Sequence, residues 1–148
     1  MSLNGQPRDP VRRLEQRVLL IRFLLALQRS QLPQRGELEV ADKHNFLAAV
    51  DRIEQGFAAN DSLSDLARTA GMSVSGFTAN FRKEFGLSVG EYRQILRLDY
   101  AADLLANTKM SMEDIAVESG FYDSNHFIKL YRRHFGVSPA RSRKIQKH

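Results

Sequence analysis

Cysteine is absent from this chain of 148 residues, which removes a disulfide scaffold, a thiolate zinc site and a thiol nucleophile together. The fold must be held by packing. Long apolar runs are missing too: the richest stretch, Val18 to Leu27, is interrupted by Arg22 and is about half the ~20 residues needed to cross a bilayer. Met1 to Pro10 is polar, carries Gly5, Pro7 and Pro10, and lacks the basic-then-apolar order of a secretory signal; it reads as a flexible or vector-derived end. No strand pattern exists, so no Gly-rich phosphate loop follows a strand. His44, His126, His134 and His148 lack the mutual spacing of a metal site, which leaves each a surface or capping role. The acidic pairs Asp61/Asp65 and Glu113/Asp114 read as helix-start charges, where the dipole favours them. With no acid–base pair in view, the expectation is a protein with no catalytic, metal or cofactor chemistry, outside the membrane and at home in the cytoplasm.

What is present begins with charge. The net charge is +5, and from Ser124 to His148 there are seven Lys/Arg (Lys129, Arg132, Arg133, Arg141, Arg143, Lys144, Lys147) and no Asp or Glu. The basic character is thus a local footprint of the kind that meets phosphates. Taken alone, the same segment would read as a solvated basic tail. With 43% hydrophobic and 26% charged residues, the rest is an ordinary globular mix.

The strongest pattern is a repeat, because residues 63–93 are written again as 112–143. Asp65-Leu66-Ala67 then Gly71 become Asp114-Ile115-Ala116 then Gly120. After one extra residue in the turn, Phe77, Phe81, Arg82, Lys83, Phe85, Gly86 and Ser88 return as Phe127, Tyr131, Arg132, Arg133, Phe135, Gly136 and Ser138. Ser62 with Asp65 and Ser111 with Asp114 place a capping hydroxyl and a carboxylate three residues apart at a helix start. Gly71 and Gly120 stand where the chain reverses, and Ser73 and Asp123 cap the helices that follow. Ser88 with Glu91 opens a helix to about Ala106 carrying Ile95, Leu98, Ala102 and Leu105, and Ser138-Pro139 opens a last one. Upstream, Asp42 reads as the N-cap of a helix to about Ala59 with Phe46, Val50, Ile53 and Phe57 on one face. Gln31 to Val40, with Pro33 and Gly36, reads as a linker. Val11 to Ser30 has the apolar spacing of a helix face. The fold expected is all-α: tandem homeodomain-like helix-turn-helix units (41–88 and 108–148) joined by a linking helix (89–107), with an extra N-terminal helix and linker (11–40).

Helical spacing then separates core from surface. Val74, Phe77, Phe81 and Phe85 fall on one side of the second helix of the first unit, with Ser75, Ala79, Arg82 and Lys83 opposite. In the second unit Phe127, Tyr131 and Phe135 face inward, and Asn125, His126, Lys129, Arg132 and Arg133 face outward. The aromatic stripes are core packing rather than base-stacking platforms. Asn pairs bidentately with adenine and Lys donates to guanine O6 or N7, so Asn125 and Lys129 suit base edges in a major groove. Ser75, Gly76, Thr78 and Ala79 are small and offer methyl contacts or shape reading instead.

The string Gly120-Phe121, then Ser124, His126-Phe127, Tyr131-Arg132-Arg133-His134-Phe135-Gly136-Val137-Ser138-Pro139 and Arg143 resembles the signature of the AraC/XylS transcription regulators, over roughly residues 42 to 146. The resemblance implies two helix-turn-helix subdomains joined by one helix, inserting their recognition helices into adjacent major grooves on one face of double-stranded DNA. It nominates Ser75, Thr78, Ala79, Asn125, His126 and Lys129 as base-facing, with Arg82, Lys83, Arg132, Arg133 and Arg143 nearer the backbone. It also implies transcription activation by touching RNA polymerase, and an effector-binding or dimerisation domain ahead of this part. Only about 40 residues precede it here, which suggests a C-terminal fragment whose residues 11–30 form a homodimer contact or meet the missing domain. Three positions depart from the pattern: Val89 replaces a frequent proline, Ser142 a common tyrosine, and Asn80 a usually apolar residue, which questions how tightly the first unit closes. Two rival readings remain: a helical module whose basic end binds acidic protein partners, and a DNA-repair enzyme using this module for delivery.

Overall fold

The computed structural model describes residues 37–59 and 61–146, with the side chains of 37–40 and 146 left aside. The expected N-terminal end, the helix over 11–30 with its dimer contact, and residues 31–36 of the linker lie outside the described residues.

Seven helices and no strand occur among the described residues: α1 (Glu37–Gln55), α2 (Leu63–Thr69), α3 (Val74–Phe85), α4 (Val89–Asn107), α5 (Met112–Glu118), α6 (Ser124–Phe135) and α7 (Pro139–Gln146). The starts follow the capping chemistry. Ser62, Ser73, Ser88, Ser111 and Asp123 are N-caps with extended backbones, each accepting from an amide two or three residues on. The Ser88–Glu91 box is reciprocal, because the longer Glu91 side chain reaches back to the Ser88 amide at 2.7 Å. That bond holds the Glu91 carboxyl below its ordinary range. Asp65 and Asp114, one methylene shorter, instead accept from the cap hydroxyls of Ser62 (2.6 Å) and Ser111 (2.7 Å). The Ser62 hydroxyl likewise depresses the Asp65 carboxyl.

α1 departs from expectation at both ends. It begins at Glu37, so Asp42 lies inside it rather than capping it, and residues 37–40 are helix rather than linker. Glu37, Leu38, Glu39 and Ala41 are good helix formers and nothing among them stops propagation backwards. It ends at Gln55 and the chain turns at Gly56, leaving Phe57 in a loop.

Two cores lie at the two ends of α4, which at 19 residues is about 28 Å long. In the first, Phe46, Val50 and Ile53 of α1 meet Leu66, Phe77, Phe81 and Tyr92, all buried. The Phe46 ring lies 5.8 Å from Phe77 and 6.5 Å from Phe81, and Tyr92 stands edge-on to Phe81 at 5.5 Å. Asn80 does not loosen this unit, since Phe77 and Phe81 on either side of it are wholly buried. The second core joins Leu98, Ala101 and Leu105 of α4 to Ile115, Ala116, Phe121, Phe127 and Tyr131. Each large side chain so buried is worth roughly 1.5–3 kcal/mol.

Ser142, in place of tyrosine, is accommodated by a trade across the core. The first unit has Phe81 with Tyr92, whose hydroxyl donates to Glu54 Oε1 at 2.7 Å. The second has Tyr131 at the place of Phe81 and Ser142 at the place of Tyr92, and their hydroxyls lie 3.0 Å apart.

Candidate nucleic-acid interface

The two turns put α3 and α6 in equivalent settings. Gly71 and Gly120 take φ of +66° and +85°, a left-handed backbone that a side chain resists. The amides of Met72 and Phe121 then return to the carbonyls of Ala67 and Ala116. From Ser75 and Asn125 onward, exposed, half-buried and buried positions coincide residue for residue along the two helices. On α3, Ser75, Ala79, Arg82 and Lys83 are exposed; on α6, Asn125, His126, Lys129, Arg132 and Arg133 are. The geometry therefore gathers the nominated residues other than Arg143 into two clusters, one on each second helix.

The clusters differ in what they offer. The Thr78 hydroxyl is committed to the carbonyls of Val74 (3.0 Å) and Ser75 (3.1 Å), which leaves its methyl as the outward chemistry. The Ser75 hydroxyl lies 3.4 Å from that of Ser73. Beside this helix runs a groove of about 330 Å³ lined by Leu63, Thr78, Ala79, Arg82 and the first turn of α4. On α6 the amides of Asn125 and His126 donate to the two carboxylate oxygens of Asp123 (3.0 and 3.3 Å), so two of the open amides at the helix start are satisfied. Its side chains of Asn125, His126, Lys129, Arg132 and Arg133 project from a helix with no acidic residue.

Arg143, expected near a DNA backbone, is directed inward. Its Nη2 donates to the Met110 carbonyl at 2.7 Å, and its Nε is buried. The repeat explains this. At the equivalent place in the first unit, Arg93 Nη2 donates to the Asp61 carbonyl at 2.6 Å and its Nε is buried as well. In each unit an arginine on the helix that follows α3 or α6 braces the carbonyl just before the capping serine of the unit's first helix. Arg93 follows Lys83, and Arg143 follows Arg133, by ten residues each, and that equivalence in the repeat was the available signal.

Three further side chains were misplaced or missed. Asp61 is more than a helix-start charge: its carboxylate pairs with Arg52 of α1 through Nε at 2.8 Å and Nη2 at 3.3 Å. His134 is neither a surface nor a capping group. It is half-buried, edge-on to Phe135 at 4.6 Å, and burial pushes its imidazole below the ordinary value. Asp99 Oδ1 lies 3.9 Å from His134 Nε2, beyond hydrogen-bond reach, and desolvation outweighs that attraction. Tyr122 is the extra residue of the second turn, has no counterpart in the first unit, and is 94% exposed immediately before the Asp123 cap of α6. Its position as the insertion could have marked it in the sequence.

No group of His, Cys, Asp and Glu able to hold a metal occurs among the described residues. Nor is any described helix long and apolar enough to cross a membrane.

A family model described as a helix-turn-helix domain matches residues 66–145. The chain is 38% identical over 91 residues to the HTH-type transcriptional regulator ExsA of Pseudomonas aeruginosa, covering 62% of this chain and 33% of that one. It is 34% identical over 133 residues to the virulence regulon transcriptional activator VirF of Yersinia enterocolitica (88% and 47%), and 34% identical over 122 residues to the HTH-type transcriptional activator RhaS of Escherichia coli (82% and 43%). The chain thus spans less than half the length of these relatives. Among solved structures, an AraC-type DNA-binding domain protein from Chromobacterium violaceum superposes with a TM-score of 0.65 at 28% identity, over 72% of this chain and 96% of that one. The DNA-binding domain of the transcriptional factor AdpA, solved with a target DNA, gives 0.64 at 24% identity, over 70% and 93%, a likeness of fold.

Proposed function

Since the chain belongs to the AraC-type helix-turn-helix family, we propose that it is a sequence-specific reader of double-stranded DNA that regulates transcription by placing α3 and α6 in adjacent major grooves. The observation that carries this reading is the position-by-position match in exposure between the two second helices. Matched surfaces on repeated scaffolds suit a ligand that itself repeats, and successive major grooves recur about every 34 Å.

In this reading the basic α6 end supplies electrostatic capture and counterion release. Asn125, His126 and Lys129 read base edges, and Ser75, Thr78 and Ala79 read methyl groups or groove shape. Arg82, Lys83, Arg132 and Arg133 hold the phosphates, while Arg143 braces the second unit. The protein acts in the cytoplasm, on the nucleoid, as an activator that touches RNA polymerase, and carries out no reaction of its own; relatives named as transcriptional activators support that sign of regulation.

Gel shifts against a random duplex and against duplexes enriched by selection, at two salt concentrations, test the proposal. The expected result is preference for the enriched duplex with log K falling by about 0.9 per log salt for each phosphate contacted. Salt-sensitive binding indifferent to sequence would leave only a generic polyanion binder.

A further inference from the structure

The linking helix is not the sole tie between the units. The loop leaving α1 belongs to the first unit, yet α4 grips it and presents it to the turn of the second. Arg97 Nε donates to the Phe57 carbonyl at 2.8 Å, and the Phe57 ring stands edge-on to Tyr100 at 5.4 Å. Arg93 and Arg52 hold the same loop further on, at the carbonyl and the carboxylate of Asp61. Between these anchors the backbone of Ala58 rests on Gly120. A β-carbon at Gly120 would stand 3.1 Å from each of Ala58 Cα, the Ala58 carbonyl oxygen and Arg97 Nε. Gly120 thus serves two purposes: it takes the left-handed turn, and it admits a neighbouring backbone that any side chain would push away. The equivalent Gly71 has only the Asn45 side-chain nitrogen, at 3.9 Å, against it, so the close seat is peculiar to the second turn.

We propose that this junction of Phe57–Ala58, Arg97 and Gly120 fixes the separation and rotation of α3 relative to α6, with Arg97 as the positioning residue, and thereby sets the half-site spacing the protein accepts. A single shared helix leaves the second unit free to roll about its axis as packing breathes. A second attachment away from that axis removes the roll, as two screws hold a plate that one lets turn. The spacing part rests on the DNA-reading function proposed above; the positional part does not.

Two measurements on the full chain test it. Because the chain has no cysteine, Ala48→Cys and Val117→Cys, both on exposed positions of α1 and α5, carry spin labels for a distance measurement without DNA. The parent should give one narrow distribution and Arg97→Met one at least about twice as wide, with Arg97→Lys recovering part of the narrowing through its retained donor. In selection from a random duplex pool, Arg97→Met should lower the preference for the best half-site spacing over its neighbours by about tenfold, the scale of losing one charge-assisted hydrogen bond. Thermal unfolding followed by circular dichroism identifies a variant that merely fails to fold; should Arg97→Met do so, Tyr100→Leu, which removes the ring beside Phe57, takes its place, a distribution wider than the parent's supporting the junction and one as narrow overturning it. An Arg97→Met distribution as narrow as the parent's overturns the junction, and a wider one with an unchanged spacing profile overturns its role in spacing. Should the parent enrich no sequence, the DNA-reading function falls while the distance measurement still judges the junction.

Discussion

At equivalent points of the two units, Phe77 and Phe81 stand where Phe127 and Tyr131 do, and all four are essentially without exposed surface. Yet Ser75 stands where Asn125 does, Gly76 where His126 does, and Ala79 where Lys129 does. Packing constrains the inner positions to large apolar rings, since a core at crystal-like density tolerates little change of volume. The outer positions answer to no such demand, and there the repeats have diverged. The first unit has kept small side chains with their hydroxyls turned onto their own helix, and the second has gathered amide, imidazole and cationic groups. What the two units share is the packed core; what they do not share is the chemistry of the exposed face, on which the proposed reading of DNA depends.

The sharpest way to break this comparison is to attack what should be equal. Phe77→Ala and Phe127→Ala should each lose about 3–5 kcal/mol in urea denaturation, the range for deleting a buried ring. A loss confined to one of them would show that the units are not equivalent cores. Next comes what should be unequal. Asn125→Ala or Lys129→Ala should relax base preference by about 1–3 kcal/mol at the position read, and Thr78→Ala by much less, because its hydroxyl is already spent on Val74 and Ser75. Equal losses of selectivity for the three variants in a binding-site selection would sink this ranking.

A smaller effect separates the arginines. Arg132→Ala should lower the salt slope of DNA binding by about one and weaken binding uniformly across sequences. Arg143→Met should leave the slope unchanged and lower the urea midpoint instead, as Arg93→Met should in the first unit, because both brace a carbonyl. A slope lowered by Arg143→Met would return that residue to the phosphates. The smallest effect belongs to His134. Its folded value is depressed by burial, so the unfolded chain takes up the proton first. The contribution is whole above the unfolded value of about 6.5 and declines as pH falls from there through the lower folded value. His134→Gln should therefore flatten the fall in urea midpoint between about pH 7.5 and about pH 5.5, and an equally steep fall in that variant would place the sensitivity elsewhere.

The caps and the repeat were legible because they are local. Ser62, Ser73, Ser88, Ser111 and Asp123 each satisfy amides within three residues of themselves, a demand the helix start makes wherever it lies. The inward rings were legible for the same reason, since helical periodicity names a face before its partner is known, although Val74, on the same stripe, is exposed in the first turn of α3. The start of α1 was placed too late because Asp42 resembled a cap and nothing in a propensity argument forbids an aspartate within a helix. Asp61 and Arg143 were misread because a charged side chain is neutral evidence until its partner is placed. Arg52 is nine residues from Asp61 and Met110 is 33 from Arg143, and no spacing rule joins them.

By itself, then, the order of residues decided where helices start, which rings go inside, and which two surfaces carry polar chemistry, since each of these is settled within a turn or two of chain. Only the folded arrangement decided that Arg143 and Arg93 serve as equivalent braces, that Tyr131 and Ser142 together replace Phe81 and Tyr92, and that Ala58 sits on Gly120. Those facts depend on pairs of residues brought together from different helices and loops, where the free energy belongs to the meeting of two groups and to neither alone.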